Sequence, residues 1–153
     1  MKKTDLLIIS GLRQNAREKL TEISKKTRIP VSTIFDRIRT LEGDVIKKHT
    51  ALVDFGKLGY NTRANIILKV GKGDREAVKD FLMKHNSVNS AFKINNGYDF
   101  LIEAVFANIK DVEDFIESLE EKFSIKSKQV FYIIDDLKKE EFLSNPAVLS
   151  FWN

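Results

Sequence analysis

The strongest constraint on the fold is a change in apolar spacing near Gly59-Tyr60. Before this point apolar residues recur every three or four positions, which is the period of an amphipathic helix. After it, several segments alternate apolar and polar residues, as a strand with one buried face does. The sequence therefore predicts a helical domain, a linker, a mixed domain and a C-terminal tail, at residues 1–52, 53–61, 62–136 and 137–153.

Three short helices are predicted in the first domain. Thr4 or Asp5 is expected to cap the first, and the second covers about residues 18–26. The third covers about 31–42, just after Pro30, which ends one helix or starts another. Its apolar residues are spaced three, four and three apart and form one buried stripe: Val31, Ile34, Ile38 and Leu41. This order indicates a helix-turn-helix, followed by a short β-wing at 45–55.

The second domain is predicted to contain two similar β-α-β units. Strands are expected near residues 63–70, 88–95, 99–106 and 127–134, and helices near 74–85 and 110–123. The helices share a pattern, AVKDFL at 77–82 and DVEDFI at 111–116. Such a pair predicts a ferredoxin-like βαββαβ domain with both helices on one face of an antiparallel sheet. The fold class is thus α+β, a winged helix-turn-helix joined to a ferredoxin-like domain.

Apolar residues are also expected on the sheet face that no helix covers: Ile67, Ala91, Leu101, Val105, Phe131 and Ile133. A second subunit is the economical cover for this face, so the sequence predicts a homo-oligomer. The tail is also too apolar for a free end, with Phe142, Leu143, Val148, Leu149, Phe151 and Trp152. We expect it to pack on the sheet domain or on a neighbouring subunit.

The basic residues are concentrated in the N-terminal third. Residues 1–57 hold 13 Lys/Arg against 7 Asp/Glu, a net charge of +6, whereas the remainder holds 13 against 15, a net charge of −2. This asymmetry is typical of a nucleic-acid-binding module, although a solvated basic face without a partner is the alternative.

Composition narrows the other classes of function. The chain has no cysteine and two histidines, which excludes disulfides and thiolate metal sites and argues against a histidine-rich one. We expect neither a metal nor a cofactor. No apolar run approaches the roughly 18 residues of a membrane helix, and the apolar stretch 6–9 is too short for a signal peptide. A cytoplasmic location without membrane contact is therefore expected.

Candidate DNA contacts follow from the angles of side chains around the third helix. At about 100° per residue, the side opposite the buried stripe carries Ser32, Thr33, Asp36, Arg39 and Thr40, with Phe35 and Arg37 on its flanks. Base-edge contacts are predicted for Ser32, Thr33, Phe35, Asp36 and Arg37. Contacts of the cationic side chains, such as those with phosphates, are predicted for Lys25, Lys26, Arg28, Arg39, Lys47 and Lys48.

Each of these residues has a structural alternative. Ser32 and Thr33 either contact bases or cap the helix. Asp36 either accepts a hydrogen bond from a base or pairs with a neighbouring arginine. Phe35 either contacts a thymine methyl group or belongs to the core.

Several sequence patterns resemble those of the Lrp/AsnC family, also called feast/famine regulatory proteins. Residues 5–17 read DLLIISGLRQNAR, and residues 33–42 read TIFDRIRTLE. Leu58-Gly59-Tyr60 is similar to the family's domain junction, and residues 97–101, GYDFL, are similar to a pattern of its ligand-sensing domain. The resemblance spans about residues 4–134.

The resemblance implies a transcription regulator that binds double-stranded DNA. It also implies homodimers that often build octamers, and amino-acid or related effectors held between subunits near Gly97, Tyr98 and Asp99. Asp99 either binds the effector or caps its own turn. The chain departs from the family at Arg28, where glycine is usual, so Arg28 is expected to take a left-handed backbone.

Two other functions stay open at this point. Some haem-pathway decarboxylases share this two-domain build, but their tetrapyrrole pocket calls for a basic, histidine-bearing site. The other alternative is an effector-sensing assembly module without DNA binding. The basic N-terminal helices argue against that module, and we expect a protein that is not an enzyme.

Overall fold

The computed structural model describes the backbone of residues 1–151 and the side chains of residues 1–149. The chain forms two compact units. The first, here called the helix domain, contains Met1–Leu52 together with the chain from Leu137 onward. The second, the sheet domain, contains Val53–Asp136. Predictions for the Phe151 side chain and for Trp152 lie outside the described residues.

The helix domain is built from α1 (Lys3–Gln14), α2 (Leu20–Thr27) and α3 (Val31–Leu41). Each helix contributes one fully buried isoleucine to the core, Ile8, Ile23 and Ile34, as the apolar spacing predicts. The predicted cap of α1 is wrong, because Lys2 occupies the N-cap. Asp5 lies one turn inside, where its carboxylate accepts a hydrogen bond from the Lys2 N–H at 3.4 Å.

Side chains of α2 stabilise the turn between α2 and α3. The Ser24 hydroxyl donates to the Ile29 carbonyl at 2.6 Å, and the Thr27 hydroxyl donates to the Ile23 carbonyl at 2.7 Å. Arg28 has the predicted left-handed backbone, with φ of 60°. Pro30 precedes the first residue of α3, a position where the missing proline N–H removes no helical hydrogen bond.

The predicted wing is not built from strands. Residues 45–55, all of them described, contain no strand, and the only ladder contact there is an isolated bridge between Glu42 and Ile46. The Ile46 N–H donates to the Leu41 carbonyl at 2.9 Å, which turns the chain back to the end of α3. No neighbouring segment pairs with the residues that follow, so the alternation there forms no sheet.

The tail belongs to the helix domain. A short 3-10 helix, Pro146–Phe151, packs against α1 and buries Leu149. The Arg13 guanidinium donates to the Phe142 carbonyl at 2.5 Å and to the Glu140 carbonyl at 2.8 Å. The predicted packing on the sheet domain or on another subunit is therefore wrong, because α1 supplies both the donors and the apolar surface.

The sheet domain has the predicted βαββαβ order. Its elements are β1 (Thr62–Val70), α4 (Arg75–Lys84), β2 (Val88–Lys93), β3 (Phe100–Phe106), α5 (Ile109–Lys122) and β4 (Ile125–Tyr132). The strands form one antiparallel sheet in the order β2-β3-β1-β4. Alternate residues of β1 and β3 are buried against α4 and α5, so both helices cover the same face.

The opposite face, here called the outer sheet face, carries most of the predicted apolar residues. Ile67 lies opposite Leu101 on β3, and Val105 lies opposite Arg63. Ala91 was assigned to this face from sequence, and that prediction is wrong. A register shift between Val88 and Ser90 places Ala91 opposite the buried Ile102 and puts Phe92 on the outer face instead. Phe92 and Phe131 are both half-exposed there.

Candidate nucleic-acid interface and ligand-sensing turn

One side of α3 is buried and the other is open to solvent. Ile34 and Leu41 are buried in the core of the helix domain. The exposed side carries most of the predicted base contacts, namely Ser32, Thr33, Phe35, Asp36 and Arg39. Pro30 is the N-cap and no side chain caps α3, so Ser32 and Thr33 are free of the capping role. This set is here called the exposed α3 face.

Phe35 does not belong to the core. Half of its surface is exposed, at 50%, and the Arg39 guanidinium carbon lies over its ring at 5.8 Å from the ring centre. This contact is a cation–π interaction between residues one helical turn apart. The exposed α3 face therefore combines hydroxyl, carboxylate, aromatic and guanidinium groups.

Arg37 takes a different position from the one predicted. Its Nε donates to Asp5 Oδ1 at 2.7 Å, and an Nη atom donates to Asp5 Oδ2 at 3.0 Å. The Asp5 side chain is only 4% exposed. These hydrogen bonds hold the pKa of Asp5 below its ordinary value and raise the pKa of Arg37. The guanidinium is committed to α1, so the structure assigns Arg37 a positioning role in place of base readout.

The sequence does contain a signal for this ion pair. Asp5 shares the stripe of α1 with Ile8, Ile9 and Leu12, at spacings of three, four and seven residues. A carboxylate on a buried stripe requires a charged or hydrogen-bonding partner. Arg37 lies on the flank of α3 nearest its own stripe and can supply that partner.

The predicted phosphate contacts are exposed around the helix domain. Lys25 pairs with Glu22 at 2.8 Å, which raises the pKa of Lys25, and Lys26 pairs with Glu18. Both lysines remain largely exposed, and surface pairs of this kind are weak. Their ammonium groups can exchange a carboxylate for a phosphate. Exposed positions are also occupied by Arg28, Lys47 and Lys48.

The predicted sensing turn lies between β2 and β3. Asn96 and Gly97 have consecutive positive φ angles of 63° and 82°, which is the geometry of a tight hairpin turn and favours asparagine and glycine. The Tyr98 hydroxyl accepts a hydrogen bond from the Gln129 side chain at 2.9 Å. The structure thus gives Gly97 a conformational reason for its place in the turn.

Asp99 already has two partners in the sheet domain. Its carboxylate accepts a hydrogen bond from the Val70 N–H at 2.7 Å and pairs with Arg75 at 2.9 Å. The Asp99 side chain is largely buried. Of the two alternatives for Asp99, these contacts favour the organisation of the turn over a free carboxylate that awaits an effector.

Both halves of the chain match models of known protein families. A model described as the Lrp/AsnC ligand binding domain matches residues 63–143, and one described as a winged helix-turn-helix DNA-binding domain matches residues 1–44. None of the helices in the described part of the chain is long and apolar enough to cross a membrane.

Individual relatives carry related names. The chain is 35% identical to the HTH-type transcriptional regulator FL11 of Pyrococcus horikoshii, over 74% of this chain and 76% of that protein. It is 25% identical to the HTH-type transcriptional regulator LrpC of Bacillus subtilis, over 86% of this chain and 92% of that protein.

Solved structures support the same fold. The structure of B. subtilis LrpC superposes with a TM-score of 0.80 at 22% identity, covering 90% of this chain and 97% of that one. A transcriptional regulator of Neisseria meningitidis, solved as an L-Met complex, gives a TM-score of 0.82 at 22% identity, covering 91% and 93%. With the family-model matches and the 35% identical relative, these findings show that the chain belongs to the Lrp/AsnC family of helix-turn-helix transcription regulators.

Proposed function

We propose that this regulator reads double-stranded DNA with the exposed α3 face. The observation that carries the proposal is the division of α3 into a buried apolar side and an exposed side of hydrogen-bonding groups, in the basic third of the chain. Base-edge contacts are assigned to Ser32, Thr33, Phe35, Asp36 and Arg39. Phosphate contacts are assigned to Lys25, Lys26, Arg28, Lys47 and Lys48.

The chemistry of these groups matches the edges of bases in the major groove. An arginine can donate two hydrogen bonds to guanine, a carboxylate can accept one from cytosine, and hydroxyl groups can serve either partner. The cations neutralise phosphates, which adds affinity without sequence preference and makes binding fall as salt rises. Arg37 contributes indirectly, because its ion pair with Asp5 ties α3 to α1.

We also propose that the outer sheet face joins two copies into a homodimer. Ile67, Leu101, Val105, Phe92 and Phe131 offer an apolar surface that water covers poorly. A twofold pair presents two α3 helices, which fits a palindromic DNA site. Assembly of such dimers into an octamer would require further contacts.

The effector proposed for the sheet domain is an amino acid. One structural relative was solved as a complex with L-Met, and the turn at Gly97, Tyr98 and Asp99 carries the family-like pattern. Because Asp99 is engaged by Arg75 and Val70, we assign it to holding the turn in shape around the ligand. Thermal unfolding with each amino acid in turn tests this, since a ligand that binds only the folded state raises the midpoint.

The alternative functions have less support. A sensing module without DNA binding has no use for an exposed polar face on α3. A tetrapyrrole decarboxylase is not favoured by the named relatives, which are transcription regulators. We therefore propose a regulator that is not an enzyme and that acts in the cytoplasm, where its DNA target is found.

Binding to a randomised duplex DNA pool over a range of salt concentrations tests DNA recognition. We expect one palindromic sequence to be enriched and its affinity to fall steeply with salt. A variant with Lys25→Ala and Lys26→Ala should flatten the salt dependence by about 0.9 per lost phosphate contact per half-site while keeping the same sequence preference. The absence of any enriched sequence would refute the proposal.

A further inference from the structure

We infer that Phe35 and Arg39 act together and read a thymine and a guanine on adjacent base pairs. The inference rests on the proposed DNA recognition and narrows it to one dinucleotide step. It starts from the contact between the Arg39 guanidinium and the half-exposed Phe35 ring, a pairing that the polar pattern of α3 does not require.

A large aromatic ring in water on a DNA-binding helix needs an explanation. The ring of Phe35 lies outside the core of the helix domain, which is formed by Ile8, Ile23 and Ile34. In the major groove, the thymine methyl group is the apolar feature of a base edge, and aromatic side chains can contact it. Burying that methyl group against the ring gives Phe35 a function that its exposure in the free protein leaves unfilled.

Arg39 is the arginine of α3 whose guanidinium remains available. Arg37 is held by Asp5 on the inner side of the helix, whereas Arg39 is exposed and contacts only an aromatic ring among its recorded interactions. Stacking on the ring restricts the guanidinium plane and leaves its N–H groups directed away from the ring face. A restrained guanidinium is well suited to donate two hydrogen bonds to O6 and N7 of a guanine.

The separation of the two groups limits which bases they can reach together. The guanidinium carbon and the ring centre are 5.8 Å apart, and successive base pairs are spaced by about 3.4 Å. Side chains packed this closely can contact neighbouring base pairs but not distant ones. The pair therefore selects a thymine next to a guanine, and each contact depends on the other for its position.

Base analogues test this inference on the duplex enriched from the random pool. Replacing each thymine in turn by uracil removes only the methyl group, and replacing each guanine by 7-deazaguanine removes only the N7 acceptor. For the unmodified protein we expect about three- to fivefold weaker binding at one thymine per half-site. At the adjacent guanine we expect about tenfold weaker binding.

Variants assign the two effects to their side chains. Phe35→Ala should become insensitive to uracil at that thymine and should also lose part of the sensitivity to 7-deazaguanine, because Arg39 is no longer held. Arg39→Ala should lose the guanine effect alone. Val31→Ala is the matched control, since Val31 is another exposed apolar residue of α3, and it should keep both effects. Far-UV circular dichroism checks that each variant is folded.

Two results would overturn the inference, and they differ from each other. If a sequence is enriched but uracil is tolerated at every thymine, or Phe35→Ala stays as sensitive as the unmodified protein, the reading pair is wrong while DNA recognition stands. If no sequence is enriched, the proposed DNA recognition falls and the reading pair falls with it.

Discussion

At the scale of single residues, the ion pair between Asp5 and Arg37 changes how the recognition helix is understood. A pattern-based assignment treats any arginine on the polar side of such a helix as a base reader. The structure directs this one inward, to a carboxylate that is buried on α1. An Arg37→Ala variant would therefore weaken DNA binding by loosening α3, and such a loss would not identify a base contact.

Removing the buried carboxylate should destabilise the helix domain. We expect Asp5→Ala to lower the free energy of unfolding by about 1–3 kcal/mol, because a charge-assisted hydrogen-bond pair is lost. Arg37→Ala should act in the same direction, whereas Arg39→Ala on the exposed side should leave the unfolding midpoint unchanged. Thermal unfolding followed by circular dichroism measures all three, and equal midpoints for Arg37→Ala and Arg39→Ala would contradict the positioning role.

The same pair predicts a dependence on acid. Arg37 lowers the pKa of Asp5 below its ordinary value of 3.8, so the unfolded chain takes up this proton at a higher pH than the folded chain. The stabilisation is thus present above about pH 4 and lost as the pH falls through the folded value. Acid unfolding of Arg37→Ala should begin at a higher pH than that of the unmodified protein.

His85 should make the sheet domain less stable in mild acid. Burial is the larger cause that lowers its pKa below 6.5, and nearby Lys122 adds to it. The ring packs against Phe81 and Phe115, and its Nδ1 accepts a hydrogen bond from the Ser87 N–H at 3.2 Å. Because the folded pKa is depressed, the unfolded state binds more protons, and stability decreases as the pH falls from about 7 toward 5.

His85→Phe provides the comparison for that prediction. The variant keeps an aromatic ring in place and removes the titrating group. Chemical unfolding at pH 7.5 and pH 5.5 should give a smaller difference in stability for the variant than for the unmodified protein. An identical difference would show that His85 does not carry the acid sensitivity.

At the scale of helices and strands, local spacing predicts the elements well. The stripe of Ile34 and Leu41 fixes α3 to within one residue of its predicted end, and the repeated pattern at 77–82 and 111–116 predicts both helices of the sheet domain. What local spacing cannot predict is an irregularity or a distant partner. The register shift near Ser90 moves Phe92 to the outer sheet face, and the wing fails for want of a pairing segment.

The C-terminal tail illustrates a distant partner most clearly. Arg13 and the tail carbonyls that it binds are more than 120 residues apart in sequence, so neither segment reveals the other. Leu149 has 3% of its surface exposed, against 49% for Val148 beside it. Leu149→Ala should therefore destabilise the helix domain by about 2–3 kcal/mol.

Val148→Ala is the control for the tail, and it should change stability by less than about 0.5 kcal/mol. Both variants can be compared by denaturant unfolding of the full chain. If Leu149→Ala were as stable as Val148→Ala, the tail would not be an integral part of the helix domain.

At the scale of the whole molecule, the account requires two copies of the chain. The outer sheet face holds half-exposed aromatic residues on two different strands, Phe92 and Phe131, around Ile67 and Leu101. Their exposure in a single copy is the reason to expect a partner, since the described helices cover only the opposite face of the sheet.

Placing a charge on that face should break the assembly. Phe131→Glu is expected to reduce the particle mass measured by light scattering to that of one chain, 17.6 kDa, because an unpaired carboxylate is costly to bury. Lys79→Glu, on the exposed side of α4, should leave the mass of the assembly unchanged. A Phe131→Glu protein of undiminished mass would place the subunit contact elsewhere.

The central claim is that the exposed α3 face determines which DNA sequence this regulator binds. The most direct measurement repeats the selection from a random duplex pool with Asp36→Ala, and with Asp44→Ala as a control at an exposed carboxylate outside α3. The account predicts that Asp36→Ala changes the preferred base at one position per half-site, while Asp44→Ala selects the same sequence as the unmodified protein. The same enriched sequence from all three proteins would contradict it.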